Sequence, residues 1–262
     1  LRVAGGSTTE LTATGWYYGN KVYSADTSFT WSVSDALGTI DEDGTFTAVQ
    51  TGRDVTGTLT VTYGETSCTL PVTVGSSQPF DDTKGHWAES YITELYYAGT
   101  LQGSEKNGKL YYRPDASMTR QEFIVAMMRY LGTDLSAYAS VQLPFDDSGS
   151  IASWAKSAMQ AAYQLGYLTG SKTNGKLLAK PGSTISRQEA MTILSRTKDF
   201  ADADLNVLSA FSDSGKIADW ARTALAQMTQ QKIISGSKGK LNPTGKVTRA
   251  EVAKMLYMLS ES

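Results

Sequence analysis

The sequence predicts a multidomain protein in which an N-terminal all-β sandwich precedes a mainly α-helical C-terminal region. Three observations carry this reading. Apolar residues alternate with period two as far as about Val74, the period turns helical beyond residue 79, and one set of motifs recurs three times in the second region. At 262 residues with 19% charged side chains, the chain is long enough for two or more domains of ordinary globular composition.

The β reading covers residues 1–75. Phe29, Trp31 and Val33 alternate with Thr30 and Ser32, and Leu59, Val61 and Tyr63 alternate with Thr60 and Thr62, the pattern of half-buried strands. Cys68, Leu70, Val72 and Val74 continue it after a turn at Gly64-Glu65, and Asp43-Gly44 between Ile40 and Phe46 is a hairpin signal. Six or seven short antiparallel strands with a tryptophan on a central one fit a small sandwich. A lone cysteine on a strand, Cys68, is expected to be buried and inert.

Residues 76–79 read as a short flexible linker, Ser76-Ser77-Gln78-Pro79. The charge balance changes there: 3 basic against 8 acidic residues up to residue 78, then 21 against 18 beyond it. A mildly positive second region suits an anionic partner, but its charges are mixed rather than blocked, which argues against nucleic acid.

Trp87, Tyr91 and Leu95, and again Trp154, Ala158 and Ala162, recur at helical spacing. Phe80-Asp81-Asp82 with Trp87 returns as Phe145-Asp146-Asp147 with Trp154 and as Phe211-Ser212-Asp213 with Trp220. A glycine follows each tryptophan by 16 residues: Gly103, Gly170 and Gly236. Then come Thr119-Arg120-Gln121-Glu122, Ser186-Arg187-Gln188-Glu189 and Thr248-Arg249-Ala250-Glu251, each before an apolar helical run. The repeats are bounded at 80–140, 141–206 and 207–262.

These motifs resemble the S-layer homology family over 79–262, and the run from Trp31 through Ala48 resembles bacterial immunoglobulin-like domains over 1–75. The resemblance implies an immunoglobulin-like sandwich followed by a pseudo-threefold helical bundle, with grooves between neighbouring repeats. It implies non-covalent attachment to secondary cell wall polysaccharide associated with peptidoglycan, on the extracellular bacterial surface beside neighbouring S-layer proteins. The implied ligand is a pyruvylated amino sugar held by the Thr-Arg-Ala-Glu box, the tryptophan and the Phe-x-Asp aspartate.

Residue chemistry divides those signatures. Thr or Ser followed three residues later by Glu is a capping box, so Thr119, Ser186, Thr248, Glu122, Glu189 and Glu251 are read as helix starts. Arg120, Arg187 and Arg249 fall at the first helical position, where the dipole disfavours a cation by about 0.3 to 1 kcal/mol. They are read as grips for a carboxylate beside unsatisfied first-turn amides, with a salt bridge to a neighbouring aspartate as the structural alternative. Trp87, Trp154 and Trp220 are either core anchors or sugar-stacking faces. Asp82, Asp147 and Asp213 either cap the first helix or accept sugar hydroxyls. Gly103, Gly170 and Gly236 serve positive φ in a turn and let backbone approach a ligand. Together the arginines, tryptophans, aspartates and glycines form the candidate polymer-binding set.

The copies also differ. His86 is replaced by Ser153 and Asp219, Gln121 and Gln188 stand where alanine is usual, and Gly236 lies 13 residues before Arg249 where the other copies have 17. The first two copies thus carry longer loops around Lys106-Asn107-Gly108-Lys109 and Lys172-Thr173-Asn174-Gly175-Lys176. The three grooves are expected to be unequal.

No catalytic residues, cofactor or metal are expected. One cysteine and one histidine exclude cysteine clusters, adjacent Asp pairs track the repeat rather than one cleft, and no phosphate-binding glycine loop occurs. Asp41-Glu42-Asp43 is read as an exposed acidic turn rather than a calcium site. No stretch approaches the roughly 20 apolar residues that span a bilayer. Starting at Leu1-Arg2-Val3, the sequence is expected to be part of a longer product, the alternative reading being the C-terminal part of a larger secreted enzyme or adhesin whose β-domain binds a glycan or protein.

Overall fold

The computed structural model describes residues 1–14, 16–17, 20–21, 29–52 and 54–260. They divide into two compact units, Leu1–Ala98 with Ser104–Tyr111 and Gly99–Gly103 with Tyr112–Ser262.

The first unit opens with strands β1 (Arg2–Ala4), β2 (Thr8–Glu10), β3 (Trp16–Tyr17), β4 (Asn20–Lys21) and β5 (Thr30–Val33). Strands β6 (Gly38–Ile40), β7 (Thr45–Ala48), β8 (Val55–Tyr63) and β9 (Thr66–Gly75) follow. One sheet runs β1-β9-β8-β5, a second β2-β7-β6, and β3 pairs with β4. All pairings are antiparallel except β1 with β9. Both larger sheets feed one apolar cluster, with Val3, Leu59, Val72 and Val74 from the first and Phe46 and Ala48 from the second. The two hairpins form where the sequence placed them: Tyr63 pairs with Thr66 across Gly64-Glu65, and Asp41 Oδ1 accepts the amides of Asp43 (3.1 Å) and Thr45 (2.8 Å) to close the other.

Two expectations fail here. Trp31 lies on β5, an edge of the four-stranded sheet and not a central strand, and packs only its partly buried ring on the cluster. Cys68 and Leu70 are exposed, because only the lower half of β9, from Val72 on, is covered by the second sheet.

The segment read as a flexible linker is held in place. The Ser77 amide donates to Thr51 O at 3.0 Å, and the Tyr97 hydroxyl donates to Ser76 O at 2.8 Å. Tyr97 ends helix α1 (Glu89–Tyr97), which packs against β1, and a side chain at Gly75 would strike the Tyr97 hydroxyl and ring. Arg2 stacks over that ring at 5.5 Å while pairing with Asp54 at 2.6 Å. Burial is the main reason the Tyr97 hydroxyl is pushed up to about 12. The hairpin β10 (Ser104–Lys106) and β11 (Lys109–Tyr111) completes this unit.

The second unit holds helices α2 (Arg120–Tyr130) and α3 (Lys156–Gln164), the hairpin β12 (Ser171–Thr173) and β13 (Lys176–Leu178), and helices α4 (Arg187–Ser195), α5 (Asp219–Gln230) and α6 (Arg249–Ser260). Helix α2 packs on α3, α4 on α5 and α2 on α6, burying Met127, Ile124, Met191, Leu194, Leu225 and Leu256. The loops before α2, α4 and α6 close a cyclic ladder. Ile185 N donates to Met118 O (3.0 Å), Met118 N to Val247 O (3.1 Å) and Val247 N to Ile185 O (3.2 Å), with all three side chains buried. This ring defines a pseudo-threefold arrangement of the three capping-box helices within the unit.

The loops read only as longer in the first two copies are two-residue hairpins. Asn107-Gly108 and Asn174-Gly175 both take positive φ (54° and 73°, 50° and 76°), the turn that Asn-Gly favours. In the third copy the hairpin shrinks to a single bridge between Ser237 and Lys240.

Candidate functional site

All three capping boxes form. Glu122, Glu189 and Glu251 accept the amides of Thr119 (2.8 Å), Ser186 (2.7 Å) and Thr248 (2.9 Å), and the hydroxyls of Thr119 and Thr248 accept the N3 amides in return. The Ser186 box is closed as well.

Each glutamate has a second carboxylate oxygen, and in two of the three the arginine of another copy donates to it. Arg120 Nη2 donates to Glu189 Oε1, and Arg187 Nη1 donates to Glu251 Oε1 at 2.7 Å. Arg249 Nη1 stands 3.9 Å from Glu122 Oε1. The structural alternative is therefore realised with glutamate in place of the expected aspartate.

The unsatisfied amides expected beside these arginines are absent. Arg120 N donates to Ser183 O and Gln121 N to Pro181 O (2.9 and 3.0 Å), and the same pair of bonds recurs from Arg187 and Gln188 to Gly245 and Pro243 and from Arg249 and Ala250 to Ala116 and Pro114. Carbonyls in the turn of another copy take these donors, so any anion contact there comes from the guanidinium alone.

Asp147 and Asp213 do not cap the first helix or face open solvent. Asp147 accepts the amides of Ala179 and Lys180, both at 2.8 Å, and Asp213 those of Leu241 (2.9 Å) and Asn242 (2.8 Å). Lys180 and Asn242 sit at φ near +51°, so each aspartate pins a strained turn before a proline. Asp82 holds the same sequence place in the first copy and is half-buried. Burial raises the Asp213 pKa, but the two amide bonds outweigh it and the net value is lowered.

The glutamines that replace alanine also have partners. Gln121 Oε1 accepts the Ala152 amide and Gln188 Oε1 the Ala218 amide, both at 3.0 Å, stapling each capping helix to the start of the next copy's first helical segment.

Trp87, Trp154 and Trp220 are 56%, 58% and 57% exposed, which decides against core anchoring. Gly170 and Gly236 hold φ of +72° and +68°, and a side chain there would strike the Phe145 or Phe211 ring within 3 Å. Gly103 is half-buried ahead of β10. His86 accepts the Ala88 amide at Nδ1 (3.1 Å), which makes it a local turn partner.

The capping arginines stand in different surroundings. Arg120, Glu189, Gly170, Arg196 and Trp220 line a groove of about 300 Å³ whose floor includes Leu168 and Leu178. Arg187, Glu251, Gly236 and Lys254 line one of about 60 Å³. Around Arg249 the space is taken: its guanidinium stacks 4.5 Å over the Tyr112 ring and donates to Tyr112 O (2.7 Å) and Gln102 O (2.9 Å).

In the groove at Arg120, burial is the largest influence on Glu189 and raises its pKa, but hydrogen bonds from Ser186 and the Arg120 charge outweigh it, so the net value is lowered. Arg120 Nε is buried without a partner. Arg196 donates to neutral oxygens, Tyr167 O at 2.8 Å and Thr169 Oγ1 at 3.4 Å, and burial lowers its pKa. Two guanidinium groups thus line the groove with one carboxylate, which pairs with Arg120 alone.

Among the described residues no group of three or more His, Cys, Asp or Glu could hold a metal, and no helix is long and apolar enough to cross a membrane. Asp41 spends one carboxylate oxygen on its own turn.

Compared with known families, the chain matches the S-layer homology domain at 79–124, 144–191 and 210–253, just over half its length. The chain belongs to that family, whose domains bind cell wall polymers and mediate anchoring to the cell wall, and its place is the cell surface or wall. Among its relatives, an amylopullulanase of Thermoanaerobacterium thermosulfurigenes is 28% identical over 77% of this chain, an endoglucanase of Bacillus sp. KSM-635 30% over 69%, and a surface-layer 125 kDa protein of Lysinibacillus sphaericus 32% over 69%. The matches cover 10%, 18% and 15% of those relatives' lengths.

Proposed function

We propose that this chain attaches its parent protein to the wall by holding an acidic sugar of the secondary wall polymer in the groove lined by Arg120, Gly170 and Trp220. The observation that carries this reading is the charge balance there, two guanidinium groups against the single carboxylate of Glu189. A carboxylate such as a pyruvate ketal would complete it, gripped by a planar guanidinium in a site with an apolar floor. The exposed Trp220 indole offers a stacking face to the sugar ring, and Gly170 leaves that side of the groove without a side chain.

The β-region then serves as an immunoglobulin-like spacer or presenting domain, and the 262 residues act without catalysis of their own. The relatives are named as polysaccharide-degrading enzymes and a surface-layer protein, which supports a second reading, that the chain is the anchoring part of a larger surface enzyme or adhesin. Co-sedimentation with purified cell walls tests the anchor: the chain is expected to pellet with intact walls and to stay in solution once the polymer is chemically stripped. Retention by stripped walls would sink the proposal.

A further inference from the structure

The three copies place different side chains at one position. The residue whose amide Asp147 holds is Ala179, and the one Asp213 holds is Leu241. In the first copy the corresponding residue, directly before the positive-φ residue and proline (Arg113-Pro114, Lys180-Pro181, Asn242-Pro243), is Tyr112. At two of the capping arginines this position borders the space beside the guanidinium, open at Ala179 and filled at Tyr112. Ala179 lines the groove of about 300 Å³, whereas the groove with Arg187, of about 60 Å³, is walled by Ile233, Ile234 and Met255. Tyr112, fully buried, lies against the Arg249 guanidinium and returns a hydrogen bond from its hydroxyl to Arg249 O at 3.0 Å.

We propose that the small side chain of Ala179, where the first copy sets Tyr112 against Arg249, is the selector that leaves the chain one competent groove, so that it holds one acidic sugar per molecule through Arg120, while Arg187 faces a narrow groove and Arg249 is committed to the fold. This rests on the acidic-sugar reading above. The groove of about 60 Å³ at Arg187 is far below the few hundred Å³ of small-ligand sites, whereas about 300 Å³ at Arg120 is at their lower limit. Arg249 is closed in a second way. Its donors already have backbone carbonyls and its face a phenol ring, so an incoming carboxylate would have to displace both. The rim of the groove with Ala179 also carries Arg196; at the corresponding places Arg129, in the last turn of α2, keeps the arginine and Met258 in α6 loses it.

Calorimetric titration of the whole chain with a pyruvylated N-acetylmannosamine glycoside reads the stoichiometry directly. One site per chain is expected. Ala179→Val and Ala179→Leu are expected to weaken binding progressively, about tenfold and at least a hundredfold, with the thermal unfolding midpoint showing that each variant is folded. Two or three equivalent sites, or a folded Ala179→Leu variant that binds as the wild type does, would overturn the selector. Absence of any heat with the wild type would instead overturn the acidic-sugar reading itself, so the two failures are told apart.

Discussion

Glu189 closes the capping box of its own helix with one carboxylate oxygen and accepts the Arg120 guanidinium from the preceding copy with the other. One side chain thus starts a helix, joins two repeats and sets the charge of the groove. Glu189→Ala removes all three. It is expected to cost about 2 to 3 kcal/mol in urea unfolding, from a lost cap and a largely buried arginine left without its partner. Side-chain exposure of 12% at Arg120 and 29% at Glu189 keeps the estimate above that of a surface pair. A loss below about 0.5 kcal/mol would show that the pair is not part of the packed fold.

Acid should act through the same residue. Glu189 and Asp213 both have folded pKa values below their ordinary ones of 4.5 and 3.8. Each takes up its proton more readily in the unfolded chain, so its contribution is present in full above the ordinary value and is lost as pH falls through the lower folded value. Thermal midpoints should be level from about pH 7 to 5 and fall below about pH 4.5, with Asp213→Asn flattening the acid limb. An unchanged limb in Asp213→Asn would contradict the assignment.

Asp147 separates scaffold from ligand contact. Asp147→Ala removes two amide bonds from a turn with Lys180 at φ +51°, so it should cost about 2 kcal/mol of stability. Asp147→Asn, which keeps one acceptor oxygen, should recover part of that loss. If instead stability holds and only wall binding falls, the aspartate faces the ligand after all.

Gln188→Ala restores the more usual residue and should nonetheless destabilise, by about 1 kcal/mol, because the Ala218 amide loses its partner. Gln121→Ala should behave alike through Ala152. Chemical denaturation of both variants, singly and together, checks the staple; additive losses are expected because the two bonds share no partner.

The repeat and its capping boxes could be read from residue types because their causes are local: a Thr119 or Ser186 hydroxyl three residues from a glutamate needs nothing else. The strand alternation on β8 and the turns at Gly64 and Asp43-Gly44 were local too. What could not be read was the pairing between copies. Nothing near Arg120 in the sequence announces Glu189, nor that the amides of Arg120 and Gln121 are taken by Ser183 and Pro181. The cyclic ladder through Met118, Ile185 and Val247 exists only once all three copies close. The exposure of Cys68 and Leu70 follows from where the second sheet ends, and the tie of Ser76 to Tyr97 from the packing of α1 on β1. Two signals were present and missed: the Asn-Gly pairs of the hairpins, and the Tyr112, Ala179 and Leu241 difference ahead of each turn.

At Arg120 and Trp220 the groove is expected to recognise an acidic sugar by its carboxylate. Titrating the intact chain in parallel with a pyruvylated N-acetylmannosamine glycoside and its unpyruvylated counterpart, while following the Trp220 indole resonance, tests it most directly. Binding of the acidic sugar at least a hundredfold tighter, with the Trp220 signal shifting at saturation, is the predicted result. Equal affinity for both sugars, or saturation that leaves Trp220 unmoved, would contradict the account.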